Sequence, residues 1–156
     1  LSPNVISNHY THPNFWALKE SSGSTEQIKK YGKFIEEIDL FCGDDDLMFE
    51  FNKINAAGLV SVCSNLFPGI INHYVKSCLN DQINHEEMTF IKQAYQALFN
   101  GPNPTGIKYA LYQQGLIQTA TVRPPLAMSD LKERSNINAI CDGLETYMED
   151  LNINKP

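Results

Sequence analysis

Lys19 is the residue of this chain best placed for covalent chemistry. It ends the apolar run Phe15–Lys19, which is typical of a short buried strand, and the polar turn Glu20–Gly23 follows it. Burying an unpaired ammonium group costs several kcal/mol, so the lysine either reaches solvent along its alkyl stem or is used where it stands. A neutral lysine amine attacks a ketone or aldehyde and forms a Schiff base, which activates the neighbouring carbon.

The strand that carries Lys19 predicts where its side chain points. Side chains alternate between the two faces of a strand, so Phe15, Ala17 and Lys19 share one face. Trp16 and Leu18 share the other and are expected to pack beneath helices. Barrel enzymes keep their chemistry at the carboxyl ends of parallel strands. In such a barrel Lys19 would project into the mouth, where confinement favours the neutral amine.

The elements that would position Lys19 alternate between helix and strand over the first 65 residues. This alternation is typical of parallel strands joined by crossover helices. The predicted strands are 15–19, 40–43 and 58–64. Helices are predicted before and between them, at 2–10, 24–38 and 44–56, with N-caps at Ser2 and Ser24. The remaining chain is predicted to be mostly helical, at 70–79, 86–99, 104–114 and 129–151.

The acidic run Asp44–Asp46 begins the predicted third helix, where carboxylates satisfy free N–H groups and the helix dipole. A metal site is the alternative, but no histidine or second acidic cluster has ligand spacing. His9 and His12 straddle a helix end and make a poor zinc pair. We therefore predict no metal. His73 and His85 are interpreted as surface or helix-packing residues.

Composition and cysteine usage place the chain among soluble cytoplasmic proteins. It has 156 residues, of which 42% are hydrophobic and 19% charged. The net charge of -6 argues against binding to nucleic acid or to an anionic membrane. No apolar run is long enough to span a bilayer, and no secretory signal is visible. The four cysteines are predicted to be reduced and buried, with Cys63, near a strand end, as the candidate for a reactive thiol.

Several segments together indicate a family. They occur in the order ALKESSG (17–23), CGDDD (42–46), AAGLVSVCSN (56–65), PNPTGIKYAL (102–111) and LIQTATVRPPL (116–126). In this order and spacing they resemble the dihydrodipicolinate synthase family of pyruvate-dependent class I aldolases, over essentially the whole chain. The resemblance implies an α/β fold, the C-terminal half of a (β/α)8 TIM barrel with its last three strands, in residues 1–80. It implies a helical C-terminal extension in residues 81–156.

The resemblance also implies an activity and the residues that carry it. The Schiff-base lysine of the family falls on Lys19, whose pyruvate imine would condense with L-aspartate 4-semialdehyde in lysine and diaminopimelate biosynthesis. Val60 matches the position whose backbone contacts bound pyruvate, and Gly43 and Asp44 lie at the rim near the second substrate. This lyase chemistry needs no cofactor beyond the covalent imine, and the full-length form is expected to be a homo-oligomer.

The sequence also departs from the family. A Gly-Thr-Thr-Gly-Glu loop that holds the pyruvate carboxylate, a proton-relay tyrosine in a Tyr-Asn-x-Pro segment and an arginine just after it are not found in these 156 residues. Since proton relay typically contributes 10²–10⁴-fold, the chain alone is expected to be nearly inactive.

Two alternatives to the synthase stay open. One is a different pyruvate aldolase, such as N-acetylneuraminate lyase or a 2-keto-3-deoxy sugar-acid aldolase. The other is a non-catalytic half-barrel that covers its open edge by dimerising or by binding an N-terminal partner chain. An apolar stripe on the last predicted helix is expected to pack on the barrel, with a subunit contact as the alternative. The stripe consists of Ile137, Ile140, Leu144, Tyr147, Met148 and Leu151.

Overall fold

The computed structural model describes residues 2–150, apart from the side chains at positions 145 and 150. The strands are β1 (Ala17–Glu20), β2 (Asp39–Cys42) and β3 (Gly58–Leu59). The α-helices are α1 (Pro3–Ser7), α2 (Thr25–Tyr31), α3 (Met48–Asn52), α4 (Pro68–Leu79), α5 (His85–Leu98), α6 (Thr105–Gln113) and α7 (Arg134–Asp150). Single turns of 3₁₀ helix lie at Gly32–Phe34, Asp45–Leu47, Cys63–Asn65 and Met128–Asp130.

The three strands form one parallel sheet in the order β1-β2-β3, as the alternating pattern predicts. Lys19 is in register with Phe41, which is in register with Gly58. The third strand is shorter than predicted, because the chain turns into 3₁₀ helix at Cys63 rather than continuing extended to residue 64.

The helices begin where the capping residues indicate but end earlier. Ser2 and Ser24 are N-caps, and their hydroxyl groups accept hydrogen bonds from the amides of Val5 and Gln27. The predicted helix 24–38 ends as α-helix at Tyr31, since glycine lowers helix propensity at position 32 and the chain tightens into 3₁₀ geometry there. The predicted helix 44–56 is likewise a 3₁₀ turn followed by the short α3.

The two faces of the sheet differ in how far they are covered. Leu18, Leu40 and Cys42 are buried on one face, while Lys19 and Asp39 are exposed on the other. The expectation that Leu18 packs inside is confirmed. The same expectation for Trp16 is wrong, because its side chain is 67% exposed. Trp16 lies before β1 begins, at the amino edge of the sheet, and only its backbone joins the pairing.

The described chain divides into two compact units. The first contains the chain up to Ser61 together with Val75–Gln82, and the second contains Val62–Tyr74 and the chain from Ile83 onward. In the second unit α5, α6 and α7 pack against one another. None of the helices in residues 2–150 has both the length and the hydropathy needed to cross a membrane.

The predicted stripe on the last helix is partly buried. Ile137, Leu144 and Met148 are buried, whereas Ile140 and Tyr147 are half-buried. The structure shows this helix packing against α5 and α6, where the sequence predicts the barrel as its partner. Leu151 lies outside the described residues.

Gly106 explains how closely α6 approaches the end of α5. A Cβ at this position would overlap the carbonyl oxygen of Leu98 and lie 2.7 Å from its carbonyl carbon. Only glycine leaves room for that contact between a helix and a neighbouring backbone. Gly106, in the segment 102–111, therefore has a packing role in the second unit.

We expect the isolated 156-residue chain to self-associate rather than persist as a monomer. No strand among residues 2–150 pairs with the outer edge of β1 or of β3, and unpaired strand edges promote association with other chains. Sedimentation velocity at several protein concentrations tests this. A single sharp monomeric boundary together with a cooperative thermal transition would contradict the expectation and favour a self-sufficient half-barrel.

Candidate active site

Lys19 lies one residue before the carboxyl end of β1, on the uncovered face of the sheet. Its side chain is exposed, and no hydrogen-bond or ion-pair partner for it is found among residues 2–150. The strand places Lys19 on the face that the alternation of side chains predicts. The confinement expected of a barrel mouth is not provided by the described part of the chain.

Val60 follows β3 directly and is 45% exposed. Its amide donates to the carbonyl oxygen of Cys42 at 2.8 Å, which extends the β2–β3 pairing by one residue. Val60 is two residues beyond Gly58, the register partner of Phe41, so it shares the face of Lys19. Since its N–H is used within the sheet, the carbonyl of Val60 is the backbone group left for a ligand.

Glu20 is a buried acid that the sequence pattern places in a turn. It is the last residue of β1 and only 5% exposed, on the face opposite Lys19. Its Oε1 accepts the backbone N–H of Ser22 at 2.7 Å, which partly offsets the cost of burying a carboxylate. The sequence signal for this inward direction is the spacing, because Glu20 is two residues beyond the buried Leu18 and shares its face of the strand.

Asp44 is the N-cap residue of the 3₁₀ turn Asp45–Leu47 but does not cap it with its side chain, so the prediction is wrong for Asp44, whereas Asp45 and Asp46 lie in the first turn as expected. No side-chain cap hydrogen bond from Asp44 is present at the following 3₁₀ turn. Instead, Asp44 Oδ2 accepts the amide of Gly23 at 3.2 Å, and Asp45 Oδ1 accepts the hydroxyl of Ser61. The two acids follow the middle strand, β2, and their hydrogen bonds connect it to the segments that follow β1 and β3. These contacts with neighbouring segments depend on the order of the strands in the sheet, which cannot be read from the residues around Asp44.

No group of three or more histidine, cysteine or acidic side chains in residues 2–150 has a geometry that could hold a metal ion. His73 on α4 has its Nδ1 2.6 Å from Oε1 of Glu87 on α5, a carboxylate that is almost fully buried. The interpretation of His73 as a helix-packing residue is therefore confirmed.

All four cysteine side chains are buried, as the sequence analysis predicts. Burial raises the pKa of the Cys42 thiol from about 9 to about 12, against a smaller lowering effect of its hydrogen bond to the carbonyl oxygen of Asp44. Because the thiolate is the reactive form, we expect Cys42 to be unreactive at neutral pH. Cys63, the candidate for a reactive thiol, is fully buried as well.

The model of the dihydrodipicolinate synthetase family matches residues 1–143, which is most of the chain. The chain belongs to that family. It is similar to the 4-hydroxy-tetrahydrodipicolinate synthase of Wolbachia pipientis wMel, with 40% identity over 131 residues. That alignment covers 84% of this chain and 44% of the relative. The family member described here therefore spans less than half the length of the curated relative.

Solved structures share the fold. The dihydrodipicolinate synthase of Thermotoga maritima superposes with a TM-score of 0.78 at 20% identity, over 93% of this chain and 50% of that one. The enzyme of Acinetobacter baumannii, whose structure is complexed with pyruvate, gives a TM-score of 0.72 at 23% identity, over 99% of this chain and 51% of that one. The recognition of the family from its five sequence segments is thus confirmed.

We expect Cys42 to resist iodoacetamide in the folded chain at neutral pH and to react once the chain is unfolded in urea. The raised pKa keeps the thiol protonated in the folded state, whereas an unfolded thiol titrates near its ordinary value. The same difference stabilises the fold below about pH 9, and this contribution is lost as pH rises toward the folded pKa of about 12. Peptide mass spectrometry after a short alkylation pulse measures the modified fraction. Rapid labelling of Cys42 without denaturant would refute the burial argument.

Proposed function

We propose that this chain supplies the Schiff-base half of a 4-hydroxy-tetrahydrodipicolinate synthase, which condenses pyruvate with L-aspartate 4-semialdehyde in lysine and diaminopimelate biosynthesis. The observation that carries the proposal is the position of Lys19, exposed near the carboxyl end of a parallel strand in a member of this family. Residues 1–80 form the last strands of the barrel and residues 81–156 its helical extension.

The chemistry begins with the neutral amine of Lys19. It attacks the ketone carbon of pyruvate, and the carbinolamine loses water to give the imine. Loss of a methyl proton to a base converts the imine to an enamine, whose carbon then forms the new bond to the aldehyde carbon of the semialdehyde. The aldehyde oxygen takes up the proton held by the base. The amino group of the semialdehyde portion then attacks the imine carbon, which closes the ring and displaces the Lys19 amine. Lys19 is regenerated, and the water lost on imine formation is the one water released overall.

The proposed roles of the chain's own residues follow their placement. Lys19 is the nucleophile, and the carbonyl of Val60 contacts pyruvate while its amide stays in the sheet. The carboxylate-binding loop and the proton relay come from an N-terminal half, because these 156 residues contain neither motif. The complete enzyme acts in the cytoplasm, uses no cofactor and forms a homo-oligomer.

A non-catalytic half-barrel module is the second candidate, and the uncovered sheet face favours it. Lys19 and Val60 are exposed there, and the outer strand edges have no partner strand within the described residues. Such a surface fits a module that dimerises or binds an N-terminal partner chain. Another pyruvate aldolase would keep the same lysine and differ only in the aldehyde accepted.

We expect borohydride reduction in the presence of pyruvate to label Lys19 in the assembled protein. Peptide mass spectrometry identifies the modified residue. Lys19→Arg should abolish trapping, since a guanidinium stays protonated and is a poor nucleophile. Lys29, on the neighbouring helix α2, and Lys108 serve as internal controls. A label on either of these with Lys19 unmodified would disprove the assignment of the nucleophile.

We also expect mixing with a chain that carries the N-terminal half of the family to restore consumption of aspartate semialdehyde. Lys19 on this chain would supply the nucleophile, and the other chain the proton relay and carboxylate pocket. The matched control is Lys19→Ala, which should assemble equally well and show no turnover. Turnover that survives Lys19→Ala would overturn the mechanism, and an assembled but inactive mixture would favour the binding module.

A further inference from the structure

We propose that Gly43 is a positioning residue for Lys19, and that the absence of a side chain at position 43 sets where the lysine amine lies. A Cβ built on Gly43 would be 2.6 Å from Cε of Lys19, the carbon that bears the amine. It would also overlap Oγ of Ser21 and lie 2.9 Å from the carbonyl oxygen of Glu20. The inference rests on the proposed imine at Lys19 and extends it to a second residue.

The requirement for glycine at position 43 is one of space rather than of backbone conformation. Gly23 and Gly115 have positive φ angles, whereas Gly43 does not. Gly43 lies two residues after Phe41, the register partner of Lys19, so positions 43 and 19 share one face. The aliphatic stem of Lys19 therefore lies across the backbone of the adjacent strand, at the point where a side chain would otherwise stand.

The backbone at Gly43 is held on both sides, so an added methyl group would displace the side chains it meets, Lys19 among them, rather than move itself. The amide of Gly43 donates to the carbonyl oxygen of Glu20 at 2.8 Å. The preceding residue, Cys42, donates its thiol to the carbonyl oxygen of Asp44 at 3.0 Å. Asp44 in turn accepts the amide of Gly23. The neighbours of a new Cβ that can move are then the hydroxyl of Ser21 and the flexible end of Lys19, and each must shift.

Displacement of the amine affects the reaction step and not the binding of pyruvate. A misplacement of about 1 Å in a reacting group costs on the order of 100-fold in rate. In the proposed enzyme the pyruvate carboxylate is held by the other half of the protein, whereas position 43 contacts Lys19, Glu20 and Ser21. Gly43→Ala should therefore lower the maximal rate of imine formation and leave the half-saturating pyruvate concentration unchanged.

The first experiment measures borohydride trapping on Lys19 against pyruvate concentration in the assembled two-half protein. We expect Gly43→Ala to lower the maximal rate at least about 10-fold, with half-saturation within about twofold of the parent. Gly58→Ala is the matched control, because its new Cβ would lie on the same sheet face at an ordinary 3.5 Å from the Phe41 ring. A parental maximal rate in Gly43→Ala, or an equal loss in Gly58→Ala, would overturn the inference.

The second experiment needs no pyruvate and covers the case in which Gly43→Ala destabilises the assembly. A double-mutant cycle compares urea unfolding midpoints. The change in midpoint caused by Gly43→Ala is measured once in protein that keeps Lys19 and once in protein that carries Lys19→Ala. Every protein of the cycle carries Ser21→Ala, so that the contact with the serine hydroxyl is absent throughout. We expect the midpoint to fall less when Lys19 is truncated. Equal losses in both backgrounds would show that Lys19 and position 43 do not interact, and would refute the proposal.

The two experiments also separate this inference from the proposed function. If the parent protein fails to trap pyruvate, the imine proposal fails, while the unfolding cycle still decides whether Gly43 and Lys19 compete for space. If the parent traps pyruvate and Gly43→Ala traps it at the same maximal rate, the function stands and the positioning role is wrong.

Discussion

The site depends on two backbone hydrogen bonds that carry the parallel pairing beyond the strands themselves. The amide of Gly43 donates to Glu20 and the amide of Val60 donates to Cys42, each at 2.8 Å. These bonds fix the register at the carboxyl edge, where Lys19, Gly43 and Val60 share one face. Because side chains alternate with a period of two, a slip of one residue would turn this set to the opposite face. The chemistry proposed for Lys19 thus depends on main-chain pairing.

Three buried acidic residues lie at the same edge of the sheet. Glu20, Asp44 and Asp45 are all buried, and a carboxylate in such a place is costly unless it accepts hydrogen bonds. Each accepts at least one here, from Ser22, Gly23 and Ser61 respectively. The acids therefore order the segments that follow the strands, and this order holds the backbone of Gly43 against Lys19.

The sequence predicts those features that are set within a few residues of the chain. The capping role of Ser24, the inward direction of Leu18 and the succession of parallel strands follow from local spacing, and the structure confirms them. Trp16 and Asp44 were predicted wrongly because their surroundings come from other segments. The exposure of Trp16 depends on where the sheet is covered, and Asp44 reaches a loop 21 positions earlier in the chain. The crowding at Gly43 is likewise visible only once β1 and β2 are paired.

Position and desolvation are separate requirements for the Schiff-base role proposed for Lys19, and the described residues address only the first, by placing the lysine near a strand end. The lysine stem lies against the bare backbone at Gly43, but the residue remains exposed. Excluding water strengthens every electrostatic interaction in a reacting site, and that requires a surface laid over the open sheet face. Such a surface must bring apolar cover and groups that bind a carboxylate. In the proposed enzyme, therefore, this half of the site positions the lysine, and the surface that covers it sets the reactivity of the amine.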